Sequence, residues 1–183
     1  MHLPTRPRAL FLDRDGTLIV DKVYLSDPDG VELYPNVGDI LRRARAAGAL
    51  LFLFTNQSGI GRGYYTHADA EAVNRRLVSL LGLGERGFDG VCIAPEAPGQ
   101  PAVYRKPSPR YILETLAERG LRPEDCLMVG DSAADVGAAQ AAGIPCAALR
   151  TGKVDPLTVP SVTASRVPVF EDLSALAGAV FDF

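Results

Sequence analysis

Cysteine is scarce in this sequence: Cys92, Cys126 and Cys146 are an odd three with no CxxC pair. That gives no basis for a disulfide framework or a cysteine-built metal site. Cys126 and Cys146 stand among apolar neighbours, as buried thiols do. Histidine is scarcer still. His2 belongs to an N-terminal tail and His67 to the start of an expected helix, so both are read as solvated and neither is needed for the chemistry. Positive charge is also limited: 19 Lys and Arg against 22 Asp and Glu give a formal net charge of −3, which excludes a basic field for nucleic acid or anionic lipid. An anionic ligand must then be held by local groups. The longest apolar stretches, such as Ala49 to Phe54, fall far short of the roughly 20 residues that a membrane-spanning helix requires. Met1 to Arg8 mixes Pro4 and Pro7 with basic residues and lacks a secretory apolar segment. A cytoplasmic protein with no membrane partner is the expectation.

What the sequence does have is the composition of a folded protein. Its 183 residues are 47% hydrophobic and 22% charged, which fits one domain over residues 1–183. Short apolar runs alternate with amphipathic stretches from end to end. Strands are expected at Ala9 to Leu12, Ala49 to Thr55, Asp89 to Ala94, Cys126 to Gly130, Pro145 to Leu149 and Val167 to Phe170. Between them, helical spacing marks Val37 to Ala47, Thr66 to Leu81, Ser108 to Arg119, Ala133 to Ala142 and Leu173 to Val180, with Gly48, Gly82 and Gly143 placed as stops. The strand runs are continuously apolar, as strands covered on both faces are. This predicts an α/β fold: a doubly wound parallel sheet with right-handed crossovers and helices on both faces. The segments between motifs are short, so no large cap domain fits.

In an open parallel sheet the binding crevice lies outside the carboxyl ends of the strands. Four separate segments aim polar groups there: Asp13 and Asp15 after the first strand, Thr55 and Asn56 at the end of the second, Lys106 before a helix, and Asp131 directly after Gly130. One aspartate in a turn is an ordinary Asx-turn former. Two of them in FLDRDGTL, packed as like charges beside a glycine turn, call for a compensating cation. Mg²⁺ is the natural one, since it takes hard oxygen ligands from one or two carboxylates plus phosphate.

The set FLDRDGTL (Phe11 to Leu18), FTNQSGIGRG (Phe54 to Gly63), RKPSP (Arg105 to Pro109) and MVGDSAADVGAA (Met128 to Ala139) resembles the haloacid dehalogenase superfamily of phosphohydrolases. Within it, DRDGTL with TNQSGIGRG and RKP is similar to the branch that contains heptose bisphosphate and histidinol phosphate phosphatases. The resemblance implies an aspartyl-phosphate mechanism on a small phosphorylated metabolite. Asp13 is then the nucleophile and Asp15 the acid and base. Asp13, Asp131 and the Asp15 backbone carbonyl hold Mg²⁺. The Thr55 hydroxyl and Asn56 N–H bind phosphoryl oxygens, and Lys106 neutralises the transferring group. Heptose 1,7-bisphosphate, at its 7-phosphate, is the favoured substrate and histidinol phosphate the rival. A receiver domain, which also carries a phosphorylatable Asp, is a remote alternative, because its acceptor lies later in the chain.

The resemblance extends to substrate recognition through Asp21, Tyr24 and Arg105, and Lys22 and Arg62 flank the same segments. The bland reading of Lys22 and Arg62 is solvated surface charge. Many members of the branch carry zinc in the loop before RKP, but the four ligand positions here are Ala94, Glu96, Ala102 and Tyr104, so no structural zinc is expected. Pro95, Pro98, Pro101 and Pro107 are there to stiffen that loop instead. Ser132 is read as a helix cap. Asp135 remains open between a capping or solvated acid and a supporting role behind the metal. Arg14 is expected to point away from its aspartate neighbours into a structural ion pair.

Overall fold

The computed structural model describes residues 2–181; Met1 and the last two residues of the expected 1–183 span lie outside them. The chain opens with β1 (Ala9–Leu12), then α1 (Val37–Ala46), β2 (Leu50–Asn56), α2 (Ser58–Gly61), α3 (His67–Leu81) and β3 (Gly90–Ala94). It continues with α4 (Arg110–Arg119), β4 (Cys126–Gly130), α5 (Ala133–Ala142), β5 (Cys146–Leu149), α6 (Pro160–Ser165), β6 (Val169–Phe170) and α7 (Leu173–Val180). The expected elements differ from these by one or two residues at their ends. Only α2 and α6 had no counterpart, being too short to display a helical period.

The six strands form one sheet in the order β3-β2-β1-β4-β5-β6, every pair parallel. Alternate side chains enter two separate cores. Leu10, Leu12, Leu51, Leu53, Leu127 and Val129 face α1, α3 and α7. Ala9, Phe11, Phe52, Phe54, Cys126 and Met128 face α4, α5 and α6, where Phe11 and Phe52 stack with centroids 5.1 Å apart. Burial on both faces is why these strands read as unbroken apolar runs. Leu41, Leu77 and Leu176 supply the matching helix stripes on the first face, and Ile112, Val136 and Val162 those on the second. The three cysteines are free and buried in the sheet, with burial pushing the Cys92 thiol up to about 12 and the Cys126 thiol up to about 11.

The order reverses between β1 and β4, so their carboxyl ends form the topological switch point where such sheets bind ligands. Asp13 and Asp131 follow those two ends directly. Among the described residues, the connections from β1 to β2 and from β2 to β3 carry only α1, α2, α3 and one short 3₁₀ turn. Among the described residues, no helix is long and apolar enough to cross a membrane.

Candidate active site

The turn after β1 sets the geometry. The Asp13 N–H donates to the Val129 carbonyl at 2.9 Å, which continues the β1–β4 ladder one residue past the strand. The chain then reverses through Gly16 at φ +80°, and a Cβ there would lie 2.5 Å from an Asp131 carboxylate oxygen. Glycine is therefore required twice over, for the backbone angle and for the approach of Asp131. The loop after β5 closes the other side: Thr151 Oγ1 donates to the Gly16 carbonyl at 2.6 Å, and Gly152 packs against the same Asp131 carboxylate.

Lys106 reaches the site from the loop before α4. Its backbone is docked onto β2 by the Asn56 side chain, which accepts from Lys106 N at 2.9 Å and donates to its carbonyl at 3.1 Å. The ammonium, 2% exposed as a residue, lies 2.8 Å from Asp13 Oδ1 and 2.6 Å from Asp135 Oδ1, and donates to the Phe54 carbonyl at 2.8 Å. Burial opposes its charge, but the Asp13 and Asp135 carboxylates outweigh that and hold its pKa above the usual lysine value.

Asp135 is fully buried. Its second oxygen accepts from Ser132 N at 3.0 Å and from the Ser132 hydroxyl at 2.6 Å. The residue left open by the sequence thus caps α5 and pairs directly with Lys106. The solvated reading of it is excluded. Ser132 stands at the N-cap position, with its hydroxyl proton spent on Asp135.

Asp13, Asp131 and Asp135 each offer an oxygen within 4.8 Å of the others. Burial, then the Asp135 charge, raises the Asp13 pKa well above the usual carboxylate value, against the pull of Lys106. The same two causes push Asp131 up to about 7. Both oxygens of Asp135 are occupied by Lys106 and Ser132, so Asp13 and Asp131 are the carboxylates with capacity left for a cation. This donor set fits a hard divalent ion.

Arg14 corrects the expectation. It does not point away from its neighbours: it is fully buried, and its Nε lies 3.0 Å from Asp15 Oδ2, so the ion pair is with the aspartate beside it. Its Nη1 donates to Asn74 Oδ1 at 2.9 Å. Alternation along a strand fails here because Arg14 lies past the end of β1, in the bend that leads to the reversal at Gly16.

Next to Asp15 opens a cavity of about 230 Å³, lined also by Asp21, Tyr24, Asn56, Gln57 and Tyr65. Asp21, Tyr24 and Asn56 therefore meet at one surface with Asp15. Lys22, Arg62 and Arg105 do not line it. Lys22 pairs with Glu32 at 3.1 Å, Arg62 is exposed, and half-buried Arg105 donates to the Glu96 carbonyl at 3.4 Å. A larger cavity of about 550 Å³ lies between α3 and β3 and touches none of the clustered carboxylates. Gln57, Tyr65 and Thr151 are site residues that sequence reasoning missed. Gln57 sits inside the FTNQSGIGRG segment and Thr151 two residues past the end of β5, signals that could have found them; Tyr65 carries none.

A family model described as "HAD-hyrolase-like" matches residues 103–176. The D-glycero-beta-D-manno-heptose-1,7-bisphosphate 7-phosphatase of Helicobacter pylori (strain ATCC 700392 / 26695) is 40% identical over 131 residues, 70% of this chain and 75% of the relative. The enzyme of that name from Rhodopseudomonas palustris is 34% identical over 149 residues, 78% and 82% of the two chains. Among solved structures, D,D-heptose 1,7-bisphosphate phosphatase from B. bronchiseptica, complexed with magnesium and phosphate, superposes with a TM-score of 0.81 at 26% identity, covering 94% of this chain and 97% of the other. A HAD-like phosphatase from Mesorhizobium loti gives a TM-score of 0.74 at 33% identity, covering 97% and 86%. With a parallel sheet whose switch point gathers these carboxylates and Lys106, and relatives this similar over most of its length, the chain belongs to the haloacid dehalogenase-like phosphatases, in the family of the heptose-1,7-bisphosphate 7-phosphatases.

Proposed function

We propose that this phosphatase releases the 7-phosphate of D-glycero-D-manno-heptose 1,7-bisphosphate through a phosphoryl group carried on Asp13, with Mg²⁺ as its cofactor. The observation that carries the reading is the contact of Asp13 with the Lys106 ammonium at 2.8 Å, at the switch point and next to the cavity that exposes Asp15. The names of these relatives supply the sugar.

A carboxylate oxygen of Asp13 attacks phosphorus in line, the bond from phosphorus to the sugar oxygen breaks, and its electron pair leaves with that oxygen. Asp15 delivers a proton to the departing oxygen, so a neutral alcohol leaves. Asp15, now a carboxylate, takes a proton from water as the water oxygen attacks phosphorus, and the bond to Asp13 breaks. Inorganic phosphate departs and both aspartates return to their starting states. Lys106 balances charge on Asp13 throughout, and the Thr55 hydroxyl and Asn56 N–H bind phosphoryl oxygens. Asp13, Asp131 and the Asp15 backbone carbonyl would hold Mg²⁺. Bound there, the ion supplies positive charge that polarises a phosphoryl oxygen and screens the nucleophile from an anionic substrate. Asp21 and Tyr24 face the sugar from the cavity wall, whereas Arg105, Arg62 and Lys22, the last of these held by Glu32, lie outside that wall.

Phosphate release from the heptose bisphosphate and from histidinol phosphate, with Asp13→Asn as the control, tests the reading. Much the higher kcat/KM is expected with the bisphosphate, and none from the variant. Equal and feeble turnover of both compounds overturns the substrate, and an active Asp13→Asn overturns the nucleophile.

A further inference from the structure

Resting on that reading, we propose that Gln57 is a positioning residue which fixes the Asp15 oxygen that carries the transferred proton. The Gln57 amide has three short contacts. Its Nε2 donates to Asp15 Oδ2 at 2.9 Å and to Thr55 Oγ1 at 2.7 Å, and its Oε1 accepts from the Tyr65 hydroxyl at 2.6 Å. Tyr65 can only donate in that pair while it keeps its proton, and burial raises its pKa above the usual tyrosine value. The tyrosine therefore sets which end of the amide faces Asp15. All of the partners are held in place: Thr55 is 1% exposed, Gln57 3% and Tyr65 9%.

Asp15 Oδ2 receives a second donor, Arg14 Nε, at 3.0 Å, whereas Oδ1 has only the longer 3.4 Å contact to Arg14 Nη2. Two donors use both lone pairs of Oδ2 and leave no room on it for a proton. Oδ1 is left to hand the proton to the leaving oxygen and to take one from water. Without Gln57, Oδ2 is free to carry the proton too, and the acid no longer presents it in one direction. The same amide donates to the Thr55 hydroxyl, which directs the single proton of that hydroxyl outward, where a phosphoryl oxygen can accept it.

The test compares two leaving groups in wild type, Gln57→Leu and Tyr65→Phe. p-Nitrophenolate leaves without a proton, and a sugar alkoxide does not. A general acid contributes about 10²–10⁴-fold, so partial misplacement of one is expected to lower kcat/KM for the sugar phosphate at least about tenfold more than for p-nitrophenyl phosphate. Tyr65→Phe, which removes one oxygen atom, is expected to shift the ratio in the same direction by less, with an unchanged melting curve. Gln57→Glu, which sets a carboxylate against Asp15, should be slower than Gln57→Leu. Equal losses on both substrates in every folded variant overturn the proposal, because a purely structural role moves both alike. If Gln57→Leu does not fold, the ratio in Tyr65→Phe decides. Absence of phosphate release by wild type refutes the functional reading, whereas an unchanged ratio on an active enzyme refutes only this inference.

Discussion

Replacing Lys106 with methionine keeps the apolar stem out to the ε position and deletes the ammonium between Asp13 and Asp135. The ammonium sits 2.8 Å from one carboxylate and 2.6 Å from the other, with Asp13 9% exposed and Asp135 fully buried. Breaking a buried pair leaves an uncompensated charge and costs about 3–5 kcal/mol, a large share of the 5–15 kcal/mol that typically holds a domain folded. Urea unfolding in EDTA reads this loss. Its pH dependence has a definite sign. Asp13 already has a raised pKa, and without Lys106 it rises further. A group raised in the folded state contributes fully below its unfolded pKa and loses that contribution as pH rises through the folded one. The deficit of the variant is therefore smallest near about pH 4 and grows toward neutrality. Adding Asp135→Asn, which keeps an acceptor for the Ser132 N–H, should return about 2–3 kcal/mol as a coupling between neighbours. Activity should not return: with no ammonium beside Asp13, kcat should stay about a hundredfold or more below wild type in both variants. A loss under about 1 kcal/mol that does not vary with pH, or a double variant no more stable than the single one, would refute the charge argument.

Three other outcomes follow from the same structure. Gly16→Ala places a methyl group 2.5 Å from an Asp131 oxygen at φ +80°, so it should cost about 1–3 kcal/mol in thermal unfolding and abolish the Mg²⁺-dependent rise in melting temperature. Asp131→Asn should fold as well as wild type or better in EDTA, because its carboxyl is already held up to about 7, yet gain no stability from Mg²⁺ in a thermal shift assay. Asp89 accepts from Leu51 N at 2.8 Å and pairs with Arg45 and Arg86; although burial opposes it, these partners lower its pKa. Its contribution is thus present above the unfolded carboxylate pKa and is lost as pH falls through the folded one. Asp89→Asn should cost about 1–3 kcal/mol at pH 7 and progressively less under acid, by chemical denaturation.

The sequence showed most where a local signal existed. Unbroken apolar runs such as Ala49 to Phe54 identified buried parallel strands, and the polar residues at their carboxyl ends identified the rim where Asp13, Thr55 and Asp131 now stand. Lys106 was legible from its motif although it reaches Asp13 from 93 positions away. What was hidden depended on orientation. Arg14 was placed by strand alternation, but it lies past the end of β1, and the guanidinium folds back onto Asp15. The contacts of Gln57 with Asp15 and of Arg14 with Asn74 span 42 and 60 residues and leave no periodic trace. Exposed cations carry even less information. Nothing local distinguishes Lys22, which turns to Glu32, from a residue that lines the cavity. In the loop before α4, Glu96 serves the backbone. Its carboxylate accepts from Val103 N at 3.0 Å and Tyr104 N at 2.7 Å, joining the two ends of the proline-rich loop.

Charge balance connects these parts. Asp13, Asp131 and Asp135 with the single ammonium of Lys106 leave two negative charges when all are ionised, in a pocket with little water to screen them. Burial answers by raising the pKa of both Asp13 and Asp131, so ionising the two together costs free energy. A divalent cation held by Asp13 and Asp131 would offset the two charges and their mutual repulsion, and Lys106 would remain to meet an incoming dianion. On the proposed reading the cluster would reach full charge balance with a metal bound, and part of the free energy of metal binding would go into keeping Asp13 ionised for attack.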